Sequence, residues 1–131
     1  MNGIEFHPDG YLLVAKTDDG SLFKVPLNAP ATFTKIATSQ NLVGIDGLSL
    51  QDVSTLYAVT NSQSKVYRLA TTNAFADVAV TGTFETLPQF PTTLARRNDS
   101  ETYVLYSNLD KLQAQTTPPV SAYTIIKLKF K

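Results

Sequence analysis

Few residues of this chain could carry out acid, base or nucleophilic chemistry. His7 is the only histidine, and an imidazole can act as a base or as a metal ligand. It lies in the sequence HPDG, which is typical of a turn, and we expect it to be a turn residue rather than a base or a ligand. The chain has no cysteine, which excludes disulfides, thiolate metal sites and cysteine nucleophiles. No GxSxG motif is present either, so the sequence gives no basis for a serine-hydrolase triad.

Two Asx-Gly pairs, Asn2-Gly3 and Asp46-Gly47, stand 44 residues apart. Taken singly, each pair is an ordinary turn element at the entry to a strand. The same offset of 44 also aligns YLLVAKT with TLYAVTN and SLFKV with KVYRL, without a gap. A third, more divergent copy contains FPTTL at 90–94, TYVLYS at 102–107 and YTIIKLKF at 123–130. The chain is therefore predicted to be a repeat protein with three copies.

Each copy has the pattern of β-strands, with runs of Val, Leu, Ile, Tyr and Thr between turn formers. Asp9-Gly10 and Asp19-Gly20 predict hairpins. Residues 32–38 and 76–87 predict a fourth strand in the first two copies. Helix should be nearly absent, since the best candidate, 108–115, is short and polar. Most aromatic residues recur between copies and are predicted to form core between them, namely those at 11, 23, 57, 67, 103, 106 and 123.

Four strands repeating every ~40 to 45 residues are typical of propeller blades. The predicted fold is all-β: a partial β-propeller, half of a six-bladed ring, in one segment over 1–131 with blades near 1–40, 41–87 and 88–131. Each blade should have about four antiparallel strands, but the last is incomplete because its copy ends at the third strand. Open sheet edges invite association. We therefore expect either missing N-terminal blades or a homodimer that closes the ring.

The segment NGIEFHPDGYLLVAKTDDGSLFKVPL resembles a blade of the gluconolactonase, regucalcin and senescence-marker-protein superfamily of six-bladed propellers. GIDGLSL resembles the opening of that family's next blade, and FPTT with TYVLYS resembles the blade after it. The resemblance covers nearly the whole chain, and it implies that His7, at a variable position of that family, faces solvent. NHL-type and strictosidine-synthase-like propellers share much of the same pattern.

The resemblance implies a calcium ion, or another divalent cation, in the central channel. In that family Asn and Asp at the Asx-Gly positions ligate the metal, and these residues are Asn2 and Asp46 here. The family's Asp also acts as general base in lactone hydrolysis, a catalytic role that falls to Asp46. The third equivalent position is Phe90, which cannot ligate a metal. Two oxygen donors do not complete a calcium site, so the site would require the missing blades or a second copy.

The expected function is thus part of a calcium-dependent lactonase or esterase, with a small lactone or ester as substrate. A non-catalytic propeller that binds a small molecule or a protein is the main alternative, and an open repeat module without a site is a third. Eleven basic residues balance eleven acidic ones, which argues against a nucleic-acid partner. The start of the chain lacks the pattern of a signal peptide, and no apolar stretch approaches the ~20 residues needed to span a membrane. The cellular compartment is left open.

Overall fold

The computed structural model describes residues 1–130, which form three antiparallel sheets in succession along the chain. The first sheet has the order β1 (Ile4–His7), β2 (Tyr11–Lys16), β3 (Ser21–Pro26), β4 (Thr34–Lys35). The second has the order β5 (Ile45–Asp52), β6 (Thr55–Thr60), β7 (Lys65–Ala70), β8 (Ala79–Glu85). The third has the order β11 (Thr124–Lys127), β10 (Glu101–Tyr106), β9 (Pro91–Asn98). Helix is limited to α1 (Leu109–Gln113) and two short 3-10 turns, Pro30–Thr32 and Asn61–Gln63, within the described residues. The prediction of an all-β fold with little helix is confirmed.

Local sequence explains the hairpins of the first sheet. Gly10 and Gly20 have φ angles of 90° and 73°, which glycine adopts at little cost, and each ends a turn between neighbouring strands. The predicted hairpins are therefore present. The predicted fourth strand at 32–38 is reduced to Thr34–Lys35, because the chain from Pro30 to Thr32 forms a 3-10 turn and reaches β3 only afterwards.

The second sheet lies between two hydrophobic cores, one on each of its faces. Side chains of the first and second sheets form the larger core, which includes Leu13, Ala15, Leu22, Leu48, Leu56, Ala58, Tyr67 and Leu69. The second and third sheets share the smaller core, which includes Val59, Val66, Val104, Tyr106 and Leu128. Strand alternation places these two sets on opposite faces of the second sheet. The three sheets therefore stack face to face in chain order.

At each end of the stack, one apolar sheet face is not covered by another sheet of residues 1–130. The strand registers put six apolar side chains on the face of the first sheet that points away from the second, and this first open face consists of Ile4, Phe6, Leu12, Val14, Phe23 and Val25. Ile4 and Phe6 are each 58% exposed. The outward face of the third sheet carries a shallow apolar depression, and this second open face consists of Thr93, Ala95, Tyr103, Leu105 and Ile125.

His7 is buried, so the prediction that it faces solvent is wrong. It is the last residue of β1 and only 1% exposed, because its ring stacks on Tyr11 with centroids 4.2 Å apart. Its Nε2 lies 2.8 Å from the carbonyl oxygen of Val53, and its Nδ1 accepts the backbone N–H of Asp9. Both ring nitrogens have partners in the neutral form that carries its proton on Nε2. His7 therefore joins the first sheet to the second and is not free to act as a base.

Candidate functional site

The first strands of the three sheets lie side by side and approach closely near the start of each strand. The backbone N–H of Gly3 donates to the carbonyl oxygen of Asp46 at 3.1 Å. A Cβ on Gly3 would lie 2.1 Å from that oxygen, and a Cβ on Gly47 would lie 2.7 Å from the Cα of Thr93. The glycines thus allow neighbouring strands to approach closely. The structure brings the backbones at the predicted ligands Asn2 and Asp46 together, and the space beside each glycine is filled by the next sheet.

A polar contact recurs at this end of every sheet. It joins the start of the first strand to a residue that lies one or two positions after the end of the second strand. In the first sheet the Nδ2 of Asn2 donates to the Oγ1 of Thr17 at 3.4 Å. The second sheet has the Nδ2 of Asn61 donating to the Oδ2 of Asp46 at 3.3 Å. At the Phe90 position of the third sheet, where the side chain is apolar, the backbone N–H donates to the Oδ1 of Asn108 at 3.0 Å. The repeat in the sequence is therefore also a repeat in hydrogen bonding, and we call this set of residues the polar rim.

Among the rim residues, Asp46 has an ionisable side chain whose pKa is shifted by its surroundings. It follows the buried Ile45 in β5, and its own side chain is half-buried. Burial raises the pKa of the Asp46 carboxyl, and the hydrogen bond from Asn61 only partly opposes this increase. A carboxylate with a raised pKa is suited to proton transfer or to interaction with a cation that offsets its desolvation.

The substitution Asp46→Asn is expected to stabilise the chain at pH 7. An aspartate with a raised pKa in the folded state binds more protons when folded, so its contribution to stability is present at low pH and is lost as the pH rises through the folded-state pKa. The gain from Asp46→Asn should therefore be seen at pH 7 and disappear below pH ~3. Thermal or urea unfolding of both proteins at several pH values measures it.

Asp52 provides a matched control at the other end of β5. Although partial burial alone would raise its pKa, hydrogen bonds from Ser54 and Thr55 lower it. Stability from Asp52 is present at neutral pH and lost as the pH falls through its folded-state pKa, so Asp52→Asn should destabilise at pH 7. If both substitutions shifted stability in the same direction, the proposed environment of Asp46 would be wrong.

The residues of one chain do not form a complete calcium site. Within residues 1–130 no group of three or more His, Cys, Asp and Glu side chains is placed to hold a metal ion. Asn2 is exposed, and Asn61 directs its amide nitrogen at Asp46, with its oxygen accepting from the backbone of Ser62. Asn2 and Asp46 supply oxygen donors of the kind that calcium prefers, but calcium takes six to eight. The donor set fits a cation only if further donors come from outside the chain.

Several polar residues that join the sheets were not identified from the sequence. The Oε2 of Glu5 accepts the backbone N–H of Leu50 at 2.9 Å, between the first strands of two sheets. The Oε1 of Gln51 accepts from the Oγ1 of Thr102 at 2.7 Å. Gln51 stands 44 residues after His7, so both positions hold a polar side chain that reaches the next sheet. The repeat offset, applied to polar residues as well as apolar ones, would have indicated this pair.

Comparison with known proteins found no related family and one distantly similar solved structure. No protein-family model matches the chain, and no curated protein matches it. Among solved structures, the crystal structure of the N-terminal domain of Nup159 is similar with 15% sequence identity and a TM-score of 0.33. The alignment covers 96% of this chain but 44% of that one, so the chain spans less than half of that structure. Similarity at this level supports no conclusion about function.

Within residues 1–130, none of the helices has the length and apolar character needed to cross a membrane.

Proposed function

We propose that the three sheets are consecutive blades of a six-bladed propeller whose other three blades come from a second copy of this chain. The observation that carries this proposal is the composition of the first open face. Moving each of its residues by 44 positions gives Leu48, Leu50, Leu56, Ala58, Tyr67 and Leu69, the face with which the second sheet packs on the first. The first open face is therefore built to pack against another sheet.

The second open face supplies the required kind of partner. It lies on the side of the third sheet that corresponds to the side of the first sheet carrying Leu13 and Ala15. In the first sheet, that side packs against the following sheet. A second copy, related by a two-fold axis, would place each second open face on the other copy's first open face. This arrangement closes the ring and covers both apolar surfaces. Further blades on a longer chain would also close the ring. The molar mass of the purified 131-residue chain in solution distinguishes closure by a second copy from closure by further blades.

We further propose that the closed ring binds calcium or another divalent cation at its polar rim. Asn2 and Asp46 of both copies would then give four side-chain oxygen donors, with water completing the shell. The raised pKa of Asp46 and the absence of a cationic partner within 4 Å of its carboxylate in residues 1–130 support this site.

As a second candidate function, we propose that the ring hydrolyses a small lactone or ester, as the resemblance to gluconolactonase and regucalcin implies. A bound cation would polarise the substrate carbonyl. Asp46 would accept a proton from the attacking water, a role that its raised pKa favours. The alternative is a ring that binds a ligand without catalysis.

Calcium is expected to raise the melting temperature of the wild-type chain, and Asp46→Asn should abolish the increase. The physical reason is that the cation binds the folded state alone, so that stability grows with its concentration. Differential scanning calorimetry with calcium and with chelator measures the effect, and Asp52→Asn should keep it.

An aldonolactone hydrolysis assay on the same proteins separates the candidates. Calcium-dependent turnover that Asp46→Asn removes supports the hydrolase, whereas calcium binding without turnover supports the binding module. A melting temperature that is indifferent to calcium and chelator would contradict the metal site in both.

A further inference from the structure

The segment that follows β10 folds back to form a cavity of about 510 Å³. Its lining is contributed by the two residues after β10, by α1 and by the loop that leads to β11. The residues that define it include Ser107, Leu109, Lys111, Leu112, Val120 and Tyr123. The volume lies within the range of small-molecule sites. Tyr123, predicted to lie in the core between copies, is instead 61% exposed and lines this cavity.

The hydroxyl of Ser107 is buried without a hydrogen-bond partner. Ser107 directly follows β10, and the chain continues into α1 and a long loop before it returns as β11. Because buried polar groups are nearly always paired, the Ser107 hydroxyl has an unmet hydrogen bond in the wall of a cavity.

The rest of the lining combines exposed apolar side chains with one cation. Leu112 is 69% exposed and Leu109 is 38% exposed, so the cavity offers apolar surface that the chain itself does not cover. The ammonium group of Lys111 has no carboxylate within 4 Å among residues 1–130. Apolar surface with a few convergent polar groups is typical of sites for small organic ligands.

We propose that this cavity binds a small, largely apolar molecule that carries a single carboxylate. The apolar part lies against Leu112, Val120 and Tyr123. Lys111 pairs with the carboxylate, to which the Ser107 hydroxyl can also donate. The proposal is independent of ring closure and of calcium, because every residue of the lining belongs to the segment between β10 and β11.

Titration of the 131-residue chain with octanoate, followed by ¹H–¹⁵N NMR, tests the site. Saturable binding is expected, with shifted resonances concentrated in residues 107–123. The substitution Leu112→Trp fills the cavity and should weaken binding by about tenfold or more, whereas Leu27→Trp, at a half-exposed leucine on another loop, should leave it unchanged. Ser107→Ala removes only the hydroxyl and should weaken binding by about threefold without disturbing the fold.

Comparison with octanol isolates the contribution of the charge. Lys111→Gln should weaken octanoate binding by about threefold or more but leave octanol binding unchanged, and the exposed Lys129→Gln should affect neither. The proposal is overturned if octanoate shows no saturable binding up to ~10 mM. It is also overturned if the protein resonances that shift belong only to residues of the two open faces. Equal effects of Lys111→Gln and Lys129→Gln would also overturn it.

Discussion

Replacing Gly47 with alanine is expected to destabilise the chain by about 3 kcal/mol. The new Cβ would lie 2.7 Å from the Cα of Thr93 and 2.9 Å from the carbonyl oxygen of Thr92. Both atoms belong to the backbone of the third sheet, so no side-chain rotation relieves the overlap. The second and third sheets must separate instead, which opens the core between them. Urea unfolding monitored by circular dichroism measures the loss.

Gly82→Ala is the matched control, because this glycine also lies within a strand of the second sheet. Its added Cβ would meet the ring of Phe130 at 3.1 Å and the guanidinium group of Arg68 at 3.2 Å. Both are ends of side chains that can move by a few tenths of an ångström, so the cost should stay below about 1 kcal/mol. Equal losses for Gly47→Ala and Gly82→Ala would mean that the first strands of the second and third sheets are not in close contact.

Charging either open face is expected to abolish assembly of the ring. Phe6→Asp places a carboxylate on the first open face, and Ile125→Asp does the same on the second. In the assembled ring each charge would be buried against apolar side chains without a partner, which costs several kcal/mol at each of two interfaces. Analytical ultracentrifugation should therefore show monomers for both variants at concentrations where the wild type is dimeric.

The folded state of each chain should survive these changes, which separates assembly from stability. Phe6 is 58% exposed and Ile125 is 68% exposed in the single chain, so an aspartate at either position remains in contact with water. Leu27→Asp, at a leucine that is 50% exposed outside the open faces, should leave the dimer intact. A dimer that tolerates both Phe6→Asp and Ile125→Asp would show that the open faces are not its interfaces.

The sequence was most informative where local conformation and the repeat agree. Gly10 and Gly20 predicted their hairpins because only a few residue types adopt the required backbone angles. The offset of 44 residues placed Asn2 and Asp46 at equivalent positions, and the bond between Gly3 and Asp46 shows that the two segments are neighbours in space. Repetition is informative here because each copy must pack against the next in the same way.

The features that the sequence missed depend on contacts between distant segments. The sequence HPDG gives no sign that His7 reaches Val53 and packs beside Phe75, since both partners lie in loops of the second sheet. Tyr123 occupies a strand-like position, but β11 begins one residue later and its ring lines the cavity. The bond between Asn61 and Asp46 was likewise hidden, because an Asn after a strand is an ordinary turn residue.

Measuring the molar mass of the purified wild-type chain by light scattering tests the central proposal most directly. Two copies closing one six-bladed ring predict a mass of twice 14.3 kDa, constant over a wide range of protein concentration. Small-angle scattering of the same sample should show a compact particle. A mass of 14.3 kDa at all concentrations up to ~100 μM would contradict closure of the ring by a second copy.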